Sequence, residues 1–258
     1  MMSSRGVWFT RSGPRGAPQM VMVHGSLDRS TGLSRLARRF DDRYEVLRLD
    51  RRGYGKSGDH AGPFTVAANV DDLVGLIEEQ LPSGPLVLVG HSFGGNVVLA
   101  ASSRLGDRVS RVAIYEMPMS WQPWWGGNSS KGFPEQDPED SAEAFMRRLV
   151  GNKVWDRLPE RTRLARRAEG RVLVGELSDL RSGPPWQPSD VIVPVLAMCG
   201  SRAAEHHRRA VQFLDDTLPD CRSIEIEGAG HGGPNSHPGQ VAEAIQAFID
   251  QPSVVDRS

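Results

Sequence analysis

Apolar residues in this chain gather into short runs, each followed by a turn and most of them by a stretch with helical spacing. The runs are Val7-Trp8-Phe9-Thr10, Gln19-Met20-Val21-Met22-Val23, Glu45-Val46-Leu47-Arg48-Leu49, Leu86-Val87-Leu88-Val89, Val109-Ser110-Arg111-Val112-Ala113-Ile114-Tyr115, Val191-Ile192-Val193-Pro194-Val195-Leu196-Ala197-Met198-Cys199 and Arg222-Ser223-Ile224-Glu225-Ile226. Nearly continuous apolarity over four to nine residues is the pattern of strands covered on both faces in a parallel sheet. Between them, residues 65–81 carry Val66, Val70, Leu73, Leu76 and Ile77 near a 3.6-residue period, and Pro82-Ser83-Gly84-Pro85 ends that helix. A helix opens at Asn96-Val97-Val98-Leu99, and two more are predicted at 203–214 and 238–249.

The rhythm breaks at Pro118 and resumes at about Val191. This interval holds five of the six tryptophans (Trp121, Trp124, Trp125, Trp155 and Trp186) and is rich in proline, glycine and charge. Residues 141–149 and 156–168 in it look helical, with charges on one face. A chain of 258 residues, 38% hydrophobic and 24% charged, fits one large α/β domain or one such domain with an insertion.

A formal net charge of -1 argues against a general binder of nucleic acid or of membrane surfaces. Cys199 and Cys221 make neither a disulfide framework nor a metal-ligand cluster, and each is expected to be a small buried thiol beside a strand. Met1-Met2-Ser3-Ser4-Arg5 lacks the apolar core of a signal peptide, and no run reaches the length of a membrane span. The expected location is cytoplasmic.

The informative stretch is Leu88-Val89-Gly90-His91-Ser92-Phe93-Gly94-Gly95, where an apolar strand turns through small residues into a helix. A serine at such a turn is held in strained backbone with its hydroxyl at the sheet's carboxyl edge. Glycines two before and two after it allow neighbouring elements to approach closely. This Gly-x-Ser-x-Gly elbow resembles the α/β-hydrolase superfamily, specifically its serine-nucleophile, cap-bearing members. Asp50-Arg51-Arg52-Gly53-Tyr54-Gly55-Lys56-Ser57 matches that family's Asp-x-Arg-Gly-x-Gly-x-Ser loop and reads as scaffold rather than chemistry.

The resemblance implies a mostly parallel sheet of about eight strands flanked by helices, with a helical cap inserted after strand six. Residues 1–117 and 191–258 would form the two parts of the core, and 118–190 the cap or lid. It also implies an oxyanion hole. One backbone N–H follows His24-Gly25, from Ser26 or Leu27, and the other comes from Phe93, just after the nucleophile. Trp121, Trp124 and Trp125, with Leu27, become candidates for the pocket wall.

A serine hydroxyl is a weak nucleophile at neutral pH, so Ser92 needs a base, and the base needs a third group to fix its tautomer. His231, in the glycine-rich loop Gly228-Ala229-Gly230-His231-Gly232 after the last strand, stands where the family places its histidine. His91 adjoins the serine but points away if residues alternate. His206 and His207 lie on a predicted helix and are expected to be solvated. The family's usual acid lies three positions past Gly200, where this chain has Ala203. Glu116, a lone carboxylate closing an apolar strand, is therefore taken as the acid, with Glu205 as the competing candidate.

These readings imply a serine hydrolase, carboxylesterase-like, that acts through an acyl-serine on a small apolar or aromatic ester or lactone. A carbon–carbon bond hydrolase of the same fold and a non-hydrolytic ligand-binding protein are the alternatives. No metal or organic cofactor is implied. The expected partner is a small-molecule substrate, with no nucleic acid and no membrane, and a homodimer is left open.

Overall fold

The computed structural model describes residues 1–126 and 137–251. Part of the expected cap, 127–136, and the tail after Gln251, expected to be frayed, lie outside the described residues.

Seven strands form one sheet: β1 (Phe9–Ser12), β2 (Gln19–Val23), β3 (Glu45–Leu49), β4 (Leu86–His91), β5 (Val109–Tyr115), β6 (Val195–Gly200) and β7 (Cys221–Ile226). Their order is β1-β3-β2-β4-β5-β6-β7, with only β1 antiparallel to its neighbour. The helices are α1 (Ser34–Ala37), α2 (Val66–Gln80), α3 (Phe93–Leu105), α4 (Pro138–Val150), α5 (Asn152–Arg157), α6 (Glu160–Ala168), α7 (Gly170–Ser182), α8 (Glu205–Thr217), α9 (Gly233–Ser236) and α10 (Pro238–Ile249).

The sheet has seven strands where about eight are expected. The apolar runs of the sequence number seven, and the extra strand belongs to the resemblance alone. Ahead of β1 the chain makes only an isolated bridge, Met2 to Trp8. The long helical connection therefore leaves this chain's fifth strand, not its sixth.

Side chains alternate across a strand, so each apolar run feeds two cores. Val21, Val23, Leu47 and Leu88 face the layer of α2 and α3, while Met20, Met22, Val46, Val87 and Val89 face α1 and α10. Burial on both faces is why these strands read as unbroken apolar runs. Thr65 caps α2 by accepting the Ala68 N–H at 3.1 Å.

A third cluster joins Ala142, Met146, Trp155, Val172, Leu173 and Leu177 of the α4–α7 layer to Leu27 and Tyr54 of the sheet's loops. The single helix expected at 156–168 is broken: α5 stops at Arg157 and α6 restarts after Pro159, which has no N–H to continue a helix. Helix α7 is a further difference. Its apolar positions, Val172, Leu173, Val174, Leu177 and Leu180, are interrupted by Gly175, and no helix is predicted there. Among the described residues, no helix is long and apolar enough to cross a membrane.

Candidate active site

Four loops at the carboxyl edge of the sheet meet at one place. Ser92 follows β4 directly and has φ 52°, ψ −127°, a conformation that L-residues avoid. The turn closes because Gly94 packs on β2: a Cβ there would lie 2.3 Å from the Val23 carbonyl oxygen. Among the described residues, the only other non-glycine residues with positive φ are Leu27 (52°) and Glu116 (45°), at the ends of neighbouring strand loops. Strain of this kind costs about 1–3 kcal/mol per residue, so its concentration at one edge marks a place held rigid by its surroundings.

Glu116, 1% exposed, follows β5. Its Oε1 accepts the Gly200 N–H at 3.0 Å, and its Oε2 lies 2.8 Å from His231 Nδ1. The His231 loop is tied down in turn. Tyr115 donates its hydroxyl to the Gly230 carbonyl at 2.8 Å, and a ring nitrogen of His91 lies 2.8 Å from the His231 carbonyl. His91, expected to point away, thus supports the His231 backbone, with its ring 5.0 Å from that of His231.

His206 and His207 are not solvated as expected. The His207 ring stacks on His231 at 4.9 Å and 23°, and Trp125 packs against both His206 (4.4 Å) and His207 (5.3 Å). Helix α8 turns this face inward, a placement that the polar pair His206-His207 does not announce in sequence. Burial lowers the pKa of both rings, helped by the charge of His231, and holds His91 at about 3. Two neutral rings, His91 and His207, therefore flank His231.

Glu116, His207 and His231 bring ligand atoms within 4.8 Å of one another. The stacked rings carry their nitrogen lone pairs in nearly parallel planes, which aims them poorly at one ion, and the Glu116 oxygen is already used by His231.

The loop after β2 is built around a buried ion pair. Arg51 donates Nε–H to the His24 carbonyl (2.9 Å) and Nη2–H to the Gly25 carbonyl (3.1 Å), and its Nη1 pairs with Glu176 of α7. Glu176 also accepts from the Ser26 hydroxyl (2.7 Å) and the Tyr54 hydroxyl (2.8 Å). Burial alone would lower the Arg51 pKa, but the Glu176 carboxylate more than reverses this. His24 accepts the Arg51 N–H on Nε2 at 2.9 Å and so carries its proton on Nδ1, 2.7 Å from the Gly25 carbonyl. In the Asp50–Ser57 loop, the residue reaching this network is Arg51, at a variable position of the motif. The motif's own arginine, Arg52, pairs with Asp72 at 2.6 Å.

Two cavities open from Ser92, Ser26 and His231. The larger, about 380 Å³, runs under Phe93, Trp125, Phe145 and Leu177. The smaller, about 240 Å³, is walled by Leu27, Leu33, Met146 and Val150. Of the expected wall residues, Leu27 and Trp125 line a cavity. Trp121 and Trp124 instead pack beside the core, Trp121 edge-on to Trp186 at 5.9 Å and Trp124 against Phe213 at 6.4 Å. Glu205, the competing acid, is exposed at the first turn of α8.

A serine-bearing elbow, a histidine–carboxylate pair and a facing glycine loop on a mostly parallel sheet point to one family, and residues 20–244 match the Alpha/beta hydrolase family. The chain belongs to that family. Relatives include the 2-(acetamidomethylene)succinate hydrolase of Mesorhizobium japonicum, 27% identical over 246 residues (90% of this chain, 88% of the relative). The pimeloyl-[acyl-carrier protein] methyl ester esterase of Aliivibrio fischeri is 24% identical over 254 residues (90% and 93%). In fold, the chain resembles the enol-lactonase of Burkholderia xenovorans LB400, with a TM-score of 0.73 at 21% identity (95% and 96% covered).

This α/β hydrolase also has site residues that the sequence reading passed over: Glu176, Phe145, Arg148, Leu149, Leu177, Ser120 and Arg202. Most lie on the α4–α7 layer. The one local signal was the apolar spacing of Phe145, Met146 and Leu149 in 141–149.

Proposed function

We propose that the protein is a serine hydrolase working through an acyl-serine intermediate. Ser92 attacks the carbonyl carbon of a small ester or lactone. His231 takes the serine proton and later returns it to the leaving oxygen, and Glu116 orients His231 through Nδ1 and stabilises the imidazolium. The observation that carries this is the 2.8 Å contact between His231 Nδ1 and Glu116 Oε2 beside the strained Ser92. With Nδ1 protonated toward the carboxylate, Nε2 is the free basic nitrogen.

The Ser26 and Phe93 N–H groups receive the oxyanion. Phe93 opens α3, where N–H groups lack intrahelical partners. The Leu27 backbone is engaged with the Tyr54 hydroxyl, which favours Ser26 as the second donor. Residues 118–190 act as a lid over a core made of 1–117 and 191–258, excluding water and shaping the pocket. The apolar walls of both cavities support an apolar or aromatic acyl or alcohol part. Relatives named as an esterase and as a hydrolase support hydrolysis as the reaction class. The non-hydrolytic alternative draws on Ala203 at the usual acid position, and the Glu116–His231 contact supports the hydrolytic reading by supplying a carboxylate from another strand.

Labelling by a fluorophosphonate tests the reading. Rapid labelling of the folded protein, abolished in Ser92→Ala, with turnover of aryl esters is expected. No labelling, together with tight binding of an uncleaved ligand, would defeat it.

A further inference from the structure

The two cavities are about equally apolar but differ in the charged groups that line them. In the smaller one, Asp28 and Arg166 lie beside apolar walls, and Arg166 is already 3.4 Å from Glu169. The larger one is lined by Arg148, Arg202, Ser120, His206 and His207, and among the described residues the only carboxylate in its wall is Glu116. Glu116 is committed to His231 and the Gly200 N–H.

Several arginines near this wall are already committed to carboxylates. Arg147, next to Arg148 in α4, pairs with Glu143 (2.8 Å) and Asp156 (2.9 Å), Arg167 with Asp140 and Glu143, and Arg208 of α8 with Glu225 (2.9 Å). Among the described residues, Arg148 and Arg202 take part in no ion pair, and Arg148 only lies near the Phe145 ring at 5.9 Å. Deeper in, the Ser120 hydroxyl and His207 Nδ1 are buried without a hydrogen-bond partner. Buried polar atoms are seldom left unpaired, and both residues line the cavity that Ser92 also lines. Two guanidinium groups at the mouth, with unpartnered polar atoms within, offer many donors and one committed carboxylate.

We infer that the substrate is an ester carrying a carboxylate, which the larger cavity receives between Arg148 and Arg202. A planar guanidinium matches a carboxylate in a two-point hydrogen-bonded pair, and two of them would fix the ester relative to Ser92. The smaller cavity, whose one arginine is already paired with Glu169, then takes the uncharged part. This rests on the proposed hydrolase reading and adds the charge of its substrate.

Two matched ester pairs test it. 4-Nitrophenyl hydrogen adipate against its terminal methyl ester places the charge on the acyl side. 4-Carboxyphenyl hexanoate against its methyl ester places it on the alcohol side. In one pair the charged member is expected to have a kcat/KM about tenfold or more higher at low salt, with the gap narrowing in about 0.5 M NaCl. Arg148→Gln with Arg202→Gln should collapse that ratio below about threefold, chiefly through KM. The responding pair identifies the side of the ester that enters the larger cavity. Neutral esters cleaved as well or better in both pairs, or a preference that survives the double substitution, would overturn the inference. Should no ester be cleaved, the hydrolase reading fails, and calorimetric titration with adipate decides the carboxylate site separately. Saturable binding abolished by the double substitution upholds it, and its absence overturns it.

Discussion

Glu116 and Glu176 approach the site from opposite sides, the first from the end of β5 and the second from the middle of α7, and both are essentially inaccessible. Their partners differ. Glu116 faces an imidazole and a backbone N–H, so its charge gains a full counter-ion only when His231 is protonated. Glu176 faces a permanent guanidinium and two hydroxyls, so its charge is compensated at all times. A carboxylate for transient charge and one for permanent charge are thus told apart by their surroundings rather than by their burial. The sheet edge carries the first, and the helical layer supplies the second, which holds the glycine loop opposite Ser92.

The sharpest way to break this comparison is to neutralise each carboxylate. Glu116→Gln is expected to lower kcat about 10³–10⁴-fold while leaving the thermal midpoint nearly unchanged, because the amide preserves shape but not the imidazolium's partner. Glu205→Gln, on the exposed start of α8, should stay within about twofold. Steady-state kinetics of both variants decides the assignment, and loss in Glu205→Gln alone would overturn it.

Glu176→Gln should act mainly on stability. It leaves Arg51 buried without a counter-ion, a change that typically costs about 3–5 kcal/mol, readable as a lower midpoint in urea. Loosening of the Ser26 loop should also cut kcat about tenfold or more, since an oxyanion donor is worth about 3 kcal/mol when fully lost. A variant with normal stability and activity would remove the link between the helical layer and this loop.

A smaller effect separates the two regions by pH. Burial pushes the Asp28 carboxyl up to about 6, against the partial offset of Arg29, and pushes Glu169 up to about 7 despite its 2.7 Å pair with Arg29. The folded chain therefore keeps protons that the unfolded chain releases near pH 4. This contribution to stability is complete below about pH 4 and is lost as pH rises through about 6 to 7. Asp28 alone should account for up to about 3 kcal/mol, and Asp28→Asn should flatten the fall in thermal midpoint between pH 5 and 8. A midpoint that rises over that range through the wild-type Asp28 would contradict the burial. The smallest effect is expected at the surface of the helical layer. Arg167→Gln removes contacts to Asp140 and Glu143 that water screens, and its midpoint should move by no more than about 2 °C.

Legibility followed the kind of signal each part leaves. Central strands buried on both faces leave unbroken apolar runs and could be read at nearly their observed limits, whereas the run expected from Val191 begins four residues before β6, and β7 is exposed over residues 223–225. The turn at Ser92 is dictated by small residues within five positions. Helix α7 was missed because its apolar positions are few and glycine interrupts them, and it acquires a buried face only against Leu27, Tyr54 and α4. His206 and His207 read as solvated because polarity alone does not say which way a helix will turn. Trp121 and Trp124 were drawn toward the pocket by adjacency in sequence, while in space they support the core next to Trp186 and Phe213.

The sequence by itself determined the layered fold, the serine elbow, the histidine loop and a carboxylate at a strand end, because each depends on contacts within one short segment or one strand period. Only the tertiary structure decided that Glu116 rather than Glu205 meets His231, that Arg51 rather than Arg52 reaches the loop of Ser26, and that Arg148 and Arg202 share one cavity. Those relations join residues 26 to 115 positions apart, and pairing across such distances leaves no local pattern for a reader of the chain to find.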